Sequence, residues 1–583
     1  MAEGAVSGDS AKDVGSVAGA GSAGQRIRFK ALRLWCWFAF LAVVLTWPLV
    51  LQPRTHLPLG RESSDTVALL NSWTMWWNVD RMAHGFAGYW DAPIFHPSRG
   101  SFLLGEPQPV TGALSWPLLK TVGQPGTYNF LLLISLTLNG WFGCRLLRDF
   151  QVSDLGQWIG GSWILALPLI HASLGVFQVV PIWCVLWSLS ASYRLIRSPL
   201  WGRAVELAIA MAVTYGMNCH YGLFLLTLLP FWTVLNLGRS TKFARVGAQL
   251  AVAVVGFAVL VAPLVVPQWS RLHYRQVHRN VATVSELSAS PARYATPGNF
   301  WKEGRRPVDD LGIGIVKSLL AVGSLLLLTR CHSTRALWGL GVVAVLFSMA
   351  PRLGFDGATL YDGLSLAVPG FASVRNVFRY AVFVQICAIS LGVIWVESVW
   401  RCNGVFASRE SGSSRPCRFS GSLAWCVIGA LGLIESWPSD PQLQTVPPQN
   451  TQWATFISEQ TDPNAIVAVV PLGRGVQARD HRLSALAMYL QPVHQRKMIN
   501  GYNGFFPASH RDVLSALRQM PSTSSLSTLQ AKQVTHLVVF GNGNPDVMKQ
   551  KGWMLQMRDE KADVEIWKKL DPEMDSSAPI KAE

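Results

Sequence analysis

Three carboxylates, Asp65, Asp91 and Glu106, fall in one polar segment that follows directly on the first membrane-length apolar run. Carboxylates placed there suit proton transfer. One can take the proton of an acceptor hydroxyl as general base, and Glu106 or Asp91 can orient the acceptor or hold a divalent cation through oxygen. Arg375 and Arg379 enter a later apolar run, Lys317 lies one turn into another, and Arg271 and Arg275 open a basic loop. Guanidinium and ammonium groups in such positions suit a lipid phosphate, whose charge grows as it departs. His171, Gln178, His220 and Tyr221 add polar groups at the same expected level, where polar side chains are costly and tend to have a use. Together these residues suit transfer of a group from a lipid-linked phosphate. They do not settle whether a metal takes part.

The elements that must position these residues are membrane helices. Half of the 583 residues are hydrophobic and 14% are charged, against roughly 25% charged in soluble domains. Eleven apolar runs approach or reach the roughly 20 residues that cross a bilayer: 31–51, 127–147, 155–173, 175–193, 204–220, 221–238, 246–267, 311–329, 336–350, 378–397 and 420–437. With the N-terminus inside, every inner loop between them is basic, including Arg145 and Arg148, Arg194 to Arg203, and Arg401 to Arg418. That arrangement follows the positive-inside bias, and the odd count puts the C-terminal region outside. The expected fold is therefore an α-helical polytopic membrane protein of about eleven transmembrane helices, N-in and C-out, with an extracytoplasmic α/β domain at its C-terminus. Residues 1–439 hold 35 Lys/Arg against 20 Asp/Glu, whereas 440–583 hold 15 against 14, so nearly all of the net charge of +16 belongs to the membrane half. Such charge orients helices and meets anionic lipid; nucleic acid is not an expected partner.

Residues 1–25 read as a disordered cytoplasmic tail, and 26–439 as the transmembrane domain, with long outer loops at 52–112 and 268–310. Val110 to Val122 is too short to span and reads as a helix lying in the interface. The first-loop tryptophans Trp73, Trp76, Trp77 and Trp90 read as interface anchors in preference to sugar platforms. In 440–583, the runs 465–470, 535–540 and 564–567 predict strands, and 480–490, 509–519 and 524–533 predict amphipathic helices, an α/β alternation. Cysteine is absent from 440–583 and from 52–112, so both are built without disulfides. Asn500 to Pro507, rich in turn formers and aromatics, reads as a contact surface facing the membrane half.

Several stretches resemble a known superfamily. The order Asp65, Asn71-Ser-Trp73, Trp77, Phe95-His-Pro97, Glu106 and Pro117-Leu resembles the first loop of GT-C glycosyltransferase-like proteins. His171…Gln178…Pro181, Tyr221-Gly-Leu-Phe224, Pro369-Gly-Phe…Arg375…Arg379 and Asn500-Gly-Tyr-Asn-Gly-Phe-Phe-Pro are similar to a less studied bacterial branch of it. This likeness runs from about residue 30 to 570; His96 departs from it, standing where a tyrosine is usual. The resemblance implies a catalytic base at Asp65 and a polyprenyl-phosphate-linked sugar as donor. It also implies an envelope glycan or lipid as acceptor, and a place in the bacterial cytoplasmic membrane among its lipids. The alternative is a non-catalytic component that transports or organises envelope polysaccharide or lipid, in which the first-loop acids are structural.

Overall fold

The computed structural model describes residues 14–570, except 239–241, 275–278, 297–305, 356–357, 411–415, 439, 474, 476, 521 and 542–544. Each of the eleven apolar runs contains helix. In chain order the principal helices are α1 (Val14–Leu45), α2 (Thr66–Ala83), α3 (Pro109–Asp149), α4 (Asp154–Leu165), α5 (Trp183–Arg197), α6 (Trp201–Met217), α7 (Cys219–Asn236) and α8 (Phe243–Tyr274). They continue with α9 (Ile315–Gly323), α10 (His332–Ser348), α11 (Ala381–Glu410) and α12 (Pro416–Ile434). Among the described residues, five helical stretches are long and apolar enough to cross a membrane: Pro109–Asp149, Phe177–Arg197, Cys219–Asn236, Phe243–Ser270 and Val377–Arg401. Phe243–Ser270 is the most apolar of them and the most exposed, as expected of a lipid-facing helix.

Two local expectations change. No proline interrupts Val14–Leu45, so α1 extends back through residues 14–25, which the composition had suggested were disordered. Helix α3 joins the short run 110–122 to the next run across a kink. Gly123 takes φ 73° and ψ 179° there, and Pro125 lies two residues on. Proline removes a backbone donor and crowds the carbonyl four residues back, and glycine accepts the conformation that results. Close helix approach is visible at Gly140, where a Cβ would meet the Phe38 ring at 2.6 Å, a small-residue contact of the kind that packs membrane helices.

Beyond the pairing of His56–Pro58 with Leu443–Thr445, the chain turns to α/β. Strands β1 (Ile466–Val470), β2 (Lys497–Met498), β3 (His536–Phe540), β4 (Trp553–Asp559) and β5 (Val564–Lys569) form one sheet in the order β2-β1-β3-β5-β4. β1 runs parallel to β2 and β3, and β5 is antiparallel to β3 and β4. Helices α13 (Gln452–Gln460), α14 (Arg482–Tyr489), α15 (His510–Arg518) and α16 (Thr523–Ala531) accompany it. β1 is buried along its whole length, as a central parallel strand covered on both faces should be.

The first loop and the C-terminal segment share one backbone seam. His96 N–H donates to Met498 O, Phe95 N–H to Asn500 O, and Phe505 N–H to Leu104 O. Asn503 Nδ2 adds a bond to Ser101 O. Asn500–Pro507 is therefore a contact surface against the first loop.

Candidate active site

A cavity of about 920 Å³ lies where this seam meets the helix ends. Its wall draws on the first loop (Glu62, Glu106, Gln108), the first turn of α7 (His220), and the segment before α11 (Arg375, Arg379). The loop after α8 contributes Arg279, and the 500–507 surface contributes Tyr502 to Phe505.

Three arginines set its electrostatics. Arg379 is 7% exposed, and its Nη1 stands 3.3 Å from His220 Nδ1. Arg279 donates to Ser373 O and Gly504 O, and its guanidinium lies 3.6 Å from the centroid of Phe505. Arg375 stands beside the Tyr502 hydroxyl. Among the described residues, none of the three forms an ion pair with a carboxylate. Burial, then the neighbouring Arg375 charge, push the Arg279 guanidinium down to about 10, so it stays charged at neutral pH. Three cations that converge without a direct ion pair give the cavity a positive field suited to an anion.

Two carboxylates face these arginines in different states. Glu106 Oε1 lies 3.0 Å from His220 Nδ1. Burial pushes its pKa up, but the His220 charge and hydrogen bond and then the Arg379 charge prevail, and the carboxyl is held down at about 2. Glu62 is half-buried, and no hydrogen bond or ion pair to its carboxylate is formed among the described residues. Burial raises its pKa above the ordinary glutamate value, against the opposing pull of Arg379 and Arg375. One acid is therefore fixed as an anion, and the other is free to exchange a proton.

No protein-family model matches the chain, and no curated protein matches it in sequence. Solved structures do match in shape. The Archaeoglobus fulgidus oligosaccharyltransferase AglB, solved with an inhibitory peptide and a dolichol-phosphate, aligns with a TM-score of 0.56 at 11% identity, over 94% of this chain and 75% of its own. ArnT from Cupriavidus metallidurans aligns at 0.51 and 13% identity, over 94% and 98%. The arabinofuranosyltransferase AftD from Mycobacteria aligns at 0.56 and 14% identity, over 92% of this chain and 40% of its own. The chain shares the fold of these structures. At these identities the likeness is one of fold.

On this fold the residues expected from sequence separate into two groups. Glu106, Gln178, His220, Arg375 and Arg379 all line the cavity. Asp65 does not. It is 2% exposed, and both its oxygens are taken by Arg482 of α14, Nε to Oδ1 at 2.7 Å and Nη2 to Oδ2 at 2.9 Å. Both carboxylate oxygens are thus committed within the protein, away from the cavity. Asp91 does not line the cavity either, and its Oδ1 accepts from Gly100 N.

Lys317 does not line the cavity. It is wholly buried, and its Nζ donates to Glu435 Oε1 (2.8 Å), Ser436 Oγ (2.6 Å) and Gly432 O (2.7 Å), tying α9 to the end of α12. Lys317→Met should therefore lower stability by about 3 kcal/mol, because Glu435 loses its only described ion pair and keeps just the backbone N–H groups of Val316 and Lys317. Thermal unfolding should show the loss while lipid-phosphate affinity stays unchanged. His171 Nε2 hydrogen-bonds Leu165 O at 3.1 Å, and the Tyr221 hydroxyl donates to Val179 O; neither lines the cavity. Arg275 and the Arg271 side chain lie outside the described residues.

Trp73 and Trp77 are core residues, contrary to their reading as interface anchors. Their rings stack at 6.2 Å and 5°, and their indole N–H groups donate to Gln491 Oε1 and Tyr89 O. The four-residue spacing on one helix face was the signal for such a stack. Glu62 was visible as a residue type in the sequence but carried no assigned role, whereas Arg279 belongs to the basic outer loop 268–310 that the sequence offers as an anion site. Among the described residues, no group of three His, Cys, Asp or Glu is placed to hold a metal ion.

Proposed function

We propose that this protein is a membrane-embedded glycosyltransferase. It takes a sugar from a polyprenyl-phosphate donor and passes it to an envelope glycan or lipid on the extracytoplasmic face of a bacterial cytoplasmic membrane. The N-in, C-out arrangement of about eleven spans belongs to the same proposal, because it places the cavity and residues 440–570 on that face. The observation that supports it most is the trio Arg279, Arg375 and Arg379, unpaired with any described carboxylate and turned to a cavity that also holds a free glutamate. The shared fold adds to this, since AglB was solved with a dolichol-phosphate.

In this reading the donor's phosphate sits among the three guanidinium groups. Glu62 takes the proton of the acceptor hydroxyl as its oxygen bonds the anomeric carbon. The bond from that carbon to the phosphate oxygen breaks, and its electron pair stays with the phosphate. The arginines stabilise the charge that develops there. Glu106 keeps His220 in place behind Arg379. The base role that chain order gives to Asp65 passes to Glu62, three residues earlier, because Glu62 is open to the cavity and Asp65 is not.

Arg375 tests the cradle without disturbing the core, since it is only half-buried. In Arg375→Gln, stabilisation of the purified protein by decaprenyl phosphate should fall, with affinity down about tenfold or more. Unchanged affinity would remove the arginines from phosphate binding. Full lipid binding by the native protein without any transfer would instead favour the transport or organising role.

A further inference from the structure

The same cavity has a second wall that neither the arginines nor Glu62 explains. Asn71 Nδ2 is committed to Val67 O at 2.9 Å, so its Oδ1 must accept, and it accepts from Gln108 Nε2 at 2.8 Å. That fixes the orientation of the Gln108 amide and leaves its Oε1 as an acceptor. This oxygen is buried and has no donor, in a side chain only 5% exposed. Gln108 is also held with φ 49° and ψ 49°, a conformation uncommon outside glycine and asparagine. Gln178, 8% exposed, has a buried Oε1 without a donor as well, and its backbone carbonyl is tied to Asn218 Nδ2 at 2.6 Å. Glu106 Oε2 is a third buried oxygen, separate from the one that meets His220, in a carboxylate that the Cys219 thiol also contacts.

These three oxygens belong to one connected wall. Asn218 caps α7, His220 in the first turn of α7 contacts Glu106, and Glu106 is two residues from Gln108. All three side chains line the cavity. Buried acceptors without donors are rare in folded proteins because each gives up its bonds to water. A wall that offers acceptors calls for a ligand that brings donors.

Resting on the glycosyltransferase reading, we infer that Gln108, Gln178 and Glu106 Oε2 form a subsite for the hydroxyl groups of the donor's sugar. The chemistry selects a neutral, hydroxyl-rich head group. A carboxylated or phosphorylated sugar would set its own acceptors against this wall and be disfavoured. The subsite also separates two tasks in the cavity: the arginines hold the phosphate that all such lipids share, and the glutamines read what is attached to it.

The test is binding of two lipid classes to the full chain in lipid nanodiscs: decaprenyl phosphate, and decaprenyl phosphate bearing glucose, mannose or arabinose. The native protein should bind at least one glycosylated lipid about tenfold more tightly than the bare phosphate, the change expected from satisfying one to two buried acceptors. In Gln108→Leu and in Gln178→Leu that preference should shrink to within twofold, with affinity for decaprenyl phosphate unchanged. The Gln178 side chain makes no bond to protein among the described residues, so its replacement serves where Gln108→Leu does not fold. Preference retained in the folded variants, absent from the native protein, or lost together with affinity for the bare phosphate would each overturn the subsite. A native protein that binds decaprenyl phosphate without preference sinks the subsite alone; one that binds no lipid of either class sinks the phosphate cradle as well.

Discussion

Glu62→Gln is expected to reduce sugar transfer by about 10²- to 10⁴-fold, the range removed with a general base, while affinity for the lipid donor stays within a factor of two. The amide keeps the size of the side chain and its place on the cavity wall, so what is lost is the capacity to take a proton. The pH profile adds a second readout. Burial raises the Glu62 pKa above the ordinary glutamate value, and only the ionised form accepts a proton. Transfer should therefore climb as pH rises through that raised pKa and then level off. Glu106, held at about 2, is already ionised across this window and contributes nothing to the climb. Its effect falls on stability. A carboxyl whose folded pKa is depressed stabilises the fold above its unfolded pKa, near 4.5, and loses that contribution as pH falls towards 2. Rates in Glu62→Gln should be low and flat with pH, and a profile that keeps its acid limb would assign the limb to another group.

Arg482→Ala is expected to cost about 3 kcal/mol of stability, near the lower end for breaking a buried ion pair, because Arg482 itself is 40% exposed. The loss comes from Asp65, whose carboxylate would remain buried with both oxygens unpaired. The reverse change is milder: Asp65→Asn frees an arginine that can turn towards water. The double variant Asp65→Asn with Arg482→Leu should recover most of the stability lost in Arg482→Ala, since neither charge is then stranded. Thermal unfolding of the three variants in one detergent gives the comparison. Transfer assays on the same proteins separate the two acids. Asp65→Asn should leave most of the activity, and its loss without any change in melting would return the base role to Asp65.

The apolar runs were legible because a membrane helix must bury its own backbone bonds, so twenty apolar residues have few other places to go. The strands at 466–470, 536–540 and 564–569 were legible from β-branched residues bounded by turn formers; Trp553–Asp559 was missed because it is an exposed edge strand without a β-branched residue. The arginines Arg375 and Arg379 were legible as charge where an apolar run begins. What the sequence could not show is which charges cancel. Asp65 and Arg482 are 417 residues apart, and Lys317 and Glu435 are 118 apart. No local pattern reveals that each pair is closed while Glu62, close beside Asp65, is left open. Gln178 was legible as a polar residue at the outer level, but Gln108 was hidden for a related reason. It looks like an ordinary polar loop residue until the commitment of Asn71 leaves its oxygen without a donor.

The most direct test of the phosphate cradle and its facing base is a structure of the protein in lipid nanodiscs with decaprenyl phosphate bound. The phosphate should lie within hydrogen-bond distance of Arg375 and Arg379, with Glu62 across the cavity from it and the Asp65–Arg482 pair intact. A phosphate bound outside the cavity, or an Asp65 released from Arg482 and turned towards the lipid head, would contradict the account.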